Sequence, residues 1–270
     1  MHKKLANAFK RVNQNLASIR VFANWRDYLL AQIKRDNGET ILETRTGLKI
    51  AIRHNKWDAI IIREQFIDKE YLARFKTPSG CTPIIVDIGS YIGDFALYCA
   101  HYLGAKVVAY EPTTENFEVL KKNLDLNPKL AGRIAAVNRG VASTPEVVAN
   151  VEIIGREVHA SSSLYENNEA TEKRTFECDT IEEIFNKNGL DKVDLLKIDC
   201  EGGEYDIIPA TPTKVLERVH SLVYEWHTIP GWEPRLESME EKLKHAGFSL
   251  AYAGQIGYAT RPCNNLVRES

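Results

Sequence analysis

The chain has 270 residues, 44% of them hydrophobic and 27% charged, so it is long enough to bury a large core, and disorder as its main state is excluded. Its 35 Lys and Arg against 37 Asp and Glu leave a formal charge of −2, which excludes the global basic field that drives non-specific nucleic-acid binding. No run approaches the roughly 18 apolar residues of a membrane span, and the first residues alternate charge with apolar side chains where a signal peptide would be continuously apolar.

Five cysteines (Cys81, Cys99, Cys178, Cys200 and Cys263) form no Cys-x-x-Cys pair, and their odd number fits neither a zinc knuckle nor a complete disulfide framework. No Asn-x-Ser/Thr acceptor occurs either. The expectation is a cytoplasmic protein with no integral membrane contact.

From residue 5 to residue 33, Leu5, Phe9, Val12, Leu16 and Ile19 recur at helical spacing with Lys and Arg between them. The pattern predicts one or two amphipathic helices whose apolar stripe packs on the core. Residues 41–53 read as a hairpin, with Thr46-Gly47 as its turn. Helical spacing returns around Ile60, Ile61, Phe66, Tyr71 and Leu72, and the Pro- and Gly-containing stretch 77–83 breaks it. The domain boundary is placed there: residues 1–80 form a small N-terminal helical and hairpin accessory region, and residues 81–270 the main domain.

Beyond residue 83, short β-branched runs alternate with helical stretches, the pattern of a parallel sheet with crossover helices. Six runs stand out, at 84–89, 106–112, 134–141, 193–199, 219–226 and 248–254, apolar enough to be buried on both faces. Helices are predicted at 94–103, 114–126, 180–187 and 234–246, the last stopped by Gly247. Residues 142–177 are irregular. The expected architecture is α/β, a doubly wound and mostly parallel sheet.

The first site signal is Val-Asp-Ile-Gly-Ser-Tyr-Ile-Gly-Asp (86–94), a strand running through a glycine turn into a helix. Gly89 permits a sharp turn and a close ligand; Gly93 permits close approach where the helix begins. The spacing lacks the extra glycine that makes room for pyrophosphate in dinucleotide enzymes, so a phosphate-free nucleoside fits better. The second is Glu111, at the end of the next strand and about 20 residues on, where Rossmann-type folds hold a ribose diol on a carboxylate. The third is Leu-Leu-Lys-Ile-Asp-Cys-Glu-Gly-Gly-Glu-Tyr (195–205), a strand ending in Asp199, Glu201 and Glu204. Ligands of open α/β sheets bind outside the carboxyl ends of the strands, so all three signals belong to one crevice.

VDIGSYIGDFALY, AYEPTTENFEVLKKNL, SSSL and especially DLLKIDCEGGEYDII resemble the FkbM family of S-adenosylmethionine-dependent class I methyltransferases. The likeness runs from about residue 84 to residue 227, and the GLKIAIR and IIREQFIDKEY segments are similar to the family's N-terminal portion. It implies a class I Rossmann-like fold, S-adenosylmethionine as methyl donor, and O-methylation of a sugar, glycoconjugate or natural-product hydroxyl. It further implies that Asp87, Gly89, Tyr91 and Gly93 surround the methionine end of the donor and that Glu111 holds its ribose. Asn138, Gly140 and Val141 would border adenine, Asn116 would support that pocket, and Ser161 to Ser163 correspond to the family's serine run. At Gly140 this sequence departs from the family, which commonly has alanine.

An alcohol is a poor nucleophile at neutral pH, so a general base should take its proton as the oxygen–carbon bond forms. The candidates are Asp199, Glu201 and His227, with Asp199 placed to serve the donor as well. Alternation points Glu225 and His227 to the same face. The oxygen-rich set Asp199, Glu201 and Glu225 is also compatible with a magnesium ion that would acidify the hydroxyl. Two other functions compete: a nicotinamide-dependent oxidoreductase, disfavoured by the missing glycine, and a non-catalytic nucleoside-binding scaffold, which would have lost the pocket's acidic residues. Acceptor choice is assigned to residues 1–80, 142–177 and 228–232, since loops on a rigid scaffold carry specificity. A second copy of the chain is admitted as a partner.

Overall fold

The computed structural model describes residues 2–34, 36–54, 56–154, 157–160, 172–227 and 232–261. Two helices open the chain, α1 (His2–Val21) and α2 (Trp25–Ala31), followed by the antiparallel pair β1 (Glu39–Glu43) and β2 (Lys49–Arg53). Gly47, at φ 86°, supplies the left-handed residue its turn requires. Next comes α3 (Lys56–Arg63), which passes into a π-helical turn, Glu64–Asp68. The helix predicted to reach Leu72 breaks at Lys69, whose φ of 56° ends it, and the chain resumes as a 3-10 turn, Glu70–Leu72.

The main sheet follows: β3 (Ile84–Ile88), α4 (Asp94–Tyr102), β4 (Lys106–Tyr110), α5 (Thr114–Asp125) and β5 (Ile134–Val137). The run predicted as one strand over 134–141 is interrupted. After Val137 the chain leaves the sheet and forms β6 (Gly140–Val141), which pairs in parallel with β9 (Glu172–Asp179). Residues expected to be irregular contain β7 (Glu146–Ile154) and β8 (Glu157–Ala160), so that β6, β9, β7 and β8 make a small sheet of their own. The rest of the chain is α6 (Ile181–Lys187), β10 (Val193–Ile198), α7 (Glu204–Ala210), α8 (Thr213–Leu216), β11 (Val219–Glu225), α9 (Glu233–His245), β12 (Ser249–Ala253) and β13 (Ile256–Thr260). Thr180 caps α6 through a reciprocal box with Glu183.

The seven-stranded sheet has the order β12-β13-β11-β10-β3-β4-β5. Strands β5, β4, β3, β10 and β11 are parallel; β13, which the sequence pattern did not reveal, enters antiparallel between β11 and β12. Gly257 in β13 faces the Tyr224 ring so closely that an added Cβ would sit 2.2 Å from it, which is why that strand reads as broken rather than apolar. Strand order reverses between β3 and β10, the switch point where α/β sheets bind ligands.

Two apolar clusters flank the sheet. One joins Val86, Ile88, Leu196, Ile198, Leu222 and Tyr224 to the α6, α7 and α9 side chains. The other joins Ile85, Phe95, Leu97 and Val107 to Phe22, Tyr28, Leu42, Ile50, Ile52, Ile62 and Phe66, so residues 1–80 share a core with the sheet. Of the stripe expected to pack, Val12 and Leu16 are exposed and Ile19 is half-buried, while Ser18 is buried and Gln14 bonds Asp68; the side chains of Leu5 and Phe9 lie outside the described residues. Among the described residues, no helix is long and apolar enough to cross a membrane.

Candidate active site

The C-terminal end of β3 turns at Gly89, where the φ is 77° and an added Cβ would lie 1.8 Å from the backbone oxygen of Asp199. Only glycine lets the ends of β3 and β10 approach so closely. Gly89 and Ser90 donate their N–H groups to Tyr110 O, which ties the turn to β4. Gly93, at φ 82°, begins α4; an added Cβ would lie 2.9 Å from Leu120 Cγ, so this glycine admits α5 rather than ligand alone.

Glu111 ends β4 and is buried, accepting hydrogen bonds from Tyr91 N (2.9 Å), Thr113 N (2.9 Å) and Asn116 Nδ2 (3.4 Å). Burial outweighs these bonds and lifts its carboxyl to about 7. Asn138 Nδ2 donates to the Glu111 and Pro112 carbonyls and so fixes the loop that presents this carboxylate. Gly140 and Val141 lie in β6 against β9; a Cβ on Gly140 would meet Cys178 Sγ at 2.6 Å, and Val141 packs in the cluster with Ile181.

The accessory region reaches this pocket, a feature that spacing alone did not signal. Buried Asp58 accepts from Arg53 N, Nε and Nη2 and from the Tyr91 hydroxyl at 2.6 Å, while Arg53 Nη1 donates to Asn116 Oδ1. The residue pair from β2 and α3 therefore braces Tyr91 and Asn116, both of which touch Glu111.

Across the switch point lies an acidic hollow. Lys197 is buried in β10, with Nζ 2.9 Å from Gly89 O, 3.2 Å from Asp87 Oδ1 and 3.7 Å from Asp199 Oδ2. Burial alone would discharge this amine, but Asp87, Asp199 and Asp94 hold its pKa above the usual lysine range. Asp94 is pushed well up by its own burial. The lysine rides over the rings of Tyr71 (5.0 Å) and Phe95 (5.8 Å). Lys197 stands in the quoted motif, and an ionisable residue inside an apolar strand was the signal for it. Tyr71 was read only as an apolar helical position.

Asp199 follows β10 and is a quarter exposed. The Tyr71 hydroxyl lies 2.9 Å from Asp199 Oδ2 and 2.7 Å from Glu225 Oε2. Burial, then the Asp199 charge, lifts Glu225 to about 7. Glu201, at φ 51°, faces His227 Nε2 at 3.2 Å, and fully buried Glu204 faces Nδ1 at 3.1 Å. Burial would lower His227, yet its two carboxylate partners raise it to about 11. Glu204 also accepts from Gly202 N, which makes it the anchor of the loop between β10 and α7.

The oxygen set proposed for magnesium does not assemble. Glu225 turns to Tyr71, and the three ligand-type groups that converge within 4.8 Å are Asp199, Glu201 and His227, with the imidazole bonded to carboxylates at both nitrogens. A nitrogen donor is foreign to that cation. Ser161, Ser162 and Ser163 and loop residues 228–231 lie outside the described residues.

A cradle that excludes even a methyl group at Gly89, a buried carboxylate one strand away, and acids outnumbering the single lysine suit a cationic nucleoside without phosphates. Comparison with known proteins agrees. The methyltransferase FkbM domain family matches residues 87–250. Methyltransferase sdnD of Sordaria araneosa is 30% identical over 227 residues, covering 70% of this chain and 83% of that protein. Methyltransferase 1 of Beauveria bassiana is 26% identical, covering 71% and 81%. In fold, the chain is similar to the SAM-dependent methyltransferase from Agrobacterium tumefaciens, with a TM-score of 0.50 at 14% identity, over 81% of this chain and 62% of that longer one. The chain belongs to the FkbM methyltransferase family, and it is an S-adenosylmethionine-dependent enzyme of the class I α/β fold.

Proposed function

We propose that the protein methylates a hydroxyl of a small polyol, sugar, glycoconjugate or natural product in the cytoplasm. When bound, S-adenosylmethionine supplies a methyl on a sulfonium centre that is already electrophilic. The chain's own residues then have three tasks. Glu111, presented by Asn138 and Asn116, accepts hydrogen bonds from the ribose hydroxyls. Asp87 and Asp199 offset the positive charge of the donor, with Gly89 leaving room for its methionine end and Tyr91 and Gly93 beside it. Gly140 and Val141 border the base.

The observation that carries the hydroxyl reading is the carboxylate Asp199, a quarter exposed beside the glycine cradle and tied to a second carboxylate, Glu225, through Tyr71. A hydroxyl needs a base in that position to become nucleophilic. Of the three candidates, Asp199 is favoured. His227 is held as an imidazolium between Glu201 and Glu204, which leaves it no lone pair for a proton and gives it, with Glu201, the task of shaping the acceptor side.

The test incubates purified protein with methyl-labelled S-adenosylmethionine and a panel of methyl glycosides, polyols and phenols. Label recovered as an ether supports the reading; label recovered only on nitrogen or carbon overturns it. Binding of the donor without transfer to any acceptor pool would favour the scaffold reading instead.

A further inference from the structure

The inference deepens the hydroxyl-methylation reading and rests on it. Tyr71 comes from the Glu70–Leu72 turn of the accessory region, yet its hydroxyl stands between the ends of β10 and β11, 2.9 Å from Asp199 Oδ2 and 2.7 Å from Glu225 Oε2. A phenol carries one hydrogen and donates it to one acceptor at a time. Both contacts are hydrogen bonds only when one carboxyl also carries a proton and donates to the phenol oxygen. With both carboxylates ionised, the chain Asp199–Tyr71–Glu225 holds one hydrogen for two short contacts, and an arriving proton completes it.

We propose that Asp199, Tyr71 and Glu225 act as one proton-accepting set in methyl transfer, with Asp199 touching the acceptor hydroxyl and Tyr71 and Glu225 as positioning residues behind it.

The neighbours of the set favour this use. Lys197 approaches Asp199 and lies over the Tyr71 ring, and Phe95 meets that ring edge-on at 5.9 Å, which fixes the phenol. Glu201 and His227 act on Glu225 with opposite signs, and His227 is itself spent on Glu201 and Glu204. The proton leaves the acceptor oxygen as the oxygen–methyl bond forms and the sulfur–methyl bond breaks, with that bonding pair staying on sulfur. It arrives at Asp199, which then donates to the Tyr71 oxygen while the Tyr71 hydrogen goes to Glu225, so atoms and charge balance without a further reactant. The arrangement also explains why the chain sends an accessory-region side chain to the strand ends at all: without Tyr71, two carboxylates would face each other across the hollow.

Infrared spectroscopy of the protein alone, titrated from about pH 5 to about pH 9, reads the set without any acceptor. A protonated-carboxyl band should fade with a midpoint about 7. Glu225→Gln should remove its share of that band and leave the share of Glu111, and Tyr71→Phe should move the midpoint of the Glu225 share upward, because the phenol's hydrogen bond favours the ionised form. With a hydroxyl acceptor from the panel, Tyr71→Phe should lower kcat by roughly tenfold or more and shift the pH midpoint of kcat, with KM for S-adenosylmethionine changed by less than about twofold. The proposal is overturned if no carboxyl lost in Glu225→Gln titrates in this range. It is equally overturned if Tyr71→Phe alters only the melting temperature and leaves the band midpoint and the pH profile in place. Absence of transfer to any hydroxyl defeats the functional reading alone, since the infrared titration judges the proton set by itself.

Discussion

Glu111 and Gly89 carry the proposed donor pocket, and each makes a measurable demand. The Glu111 carboxyl sits at about 7 because burial disfavours its charge, whereas a ribose diol donates to the ionised form. Calorimetric affinity for S-adenosylhomocysteine should therefore rise with pH through 7, by about tenfold between about pH 6 and pH 8 as the ionised fraction grows. Stability of the unliganded protein moves the other way. A carboxyl whose folded pKa lies above its unfolded value favours the folded state below the unfolded value, and loses that contribution as pH rises through the folded one. The free protein should thus lose roughly 3 kcal/mol on this account between about pH 4.5 and pH 7, an effect that Glu111→Gln abolishes in urea melts. Gly89→Ala places a methyl 1.8 Å from a backbone oxygen at φ 77°, so it should cost roughly 3 kcal/mol or more and abolish donor binding. A denaturation midpoint within error of the parent would contradict this account.

Among elements, the hairpin is joined to α5 and to the turn that follows it by two asparagines that imitate a neighbouring strand. Asn123 Oδ1 accepts from Ala51 N (2.6 Å) and its Nδ2 donates to Ile92 O (2.9 Å), while Asn127 exchanges both bonds with Lys49. Asn123→Ala leaves these buried backbone groups without partners, so it should cost roughly 1–3 kcal/mol and raise the hydrogen-exchange rate of the Ala51 amide well before global unfolding. Asp58→Ala strips Arg53 and Tyr91 of their shared carboxylate and should weaken S-adenosylhomocysteine binding several-fold, although Asp58 has no place in the nucleoside pocket itself. Unchanged calorimetric affinity in that variant would show that the brace from the accessory region is dispensable. The helices at 114–126 and 234–246 were legible because their periodic apolar face and stop signals are local. Strand β13 was not, since its glycine and small residues are set by Tyr224 on the neighbouring strand. The exposed Val12 and Leu16 illustrate the same limit: periodicity located helix α1 but could not say which face meets the core.

At the scale of the molecule, residues 1–80 and the sheet share one apolar cluster, in which Phe22, Ile52 and Phe66 meet Ile85 and Phe95. Removing residues 1–76 would bare that face, and the remainder should show no cooperative thermal transition. A sharp transition with retained near-ultraviolet dichroism would argue that the accessory region is merely appended. The sequence by itself determined the doubly wound fold, the order of the strands in the chain, the glycine turn, Glu111 and the acidic end of β10, because each is written in short stretches whose chemistry acts on immediate neighbours. Only the tertiary structure decided that Tyr71 meets Asp199, that Asp58 meets Tyr91, that His227 is committed to two carboxylates, and that Glu225 turns toward Tyr71. Those outcomes depend on residues 23 to 154 positions apart meeting at strand ends in a low-dielectric hollow, where burial and paired charges set protonation, and no local pattern encodes such distances.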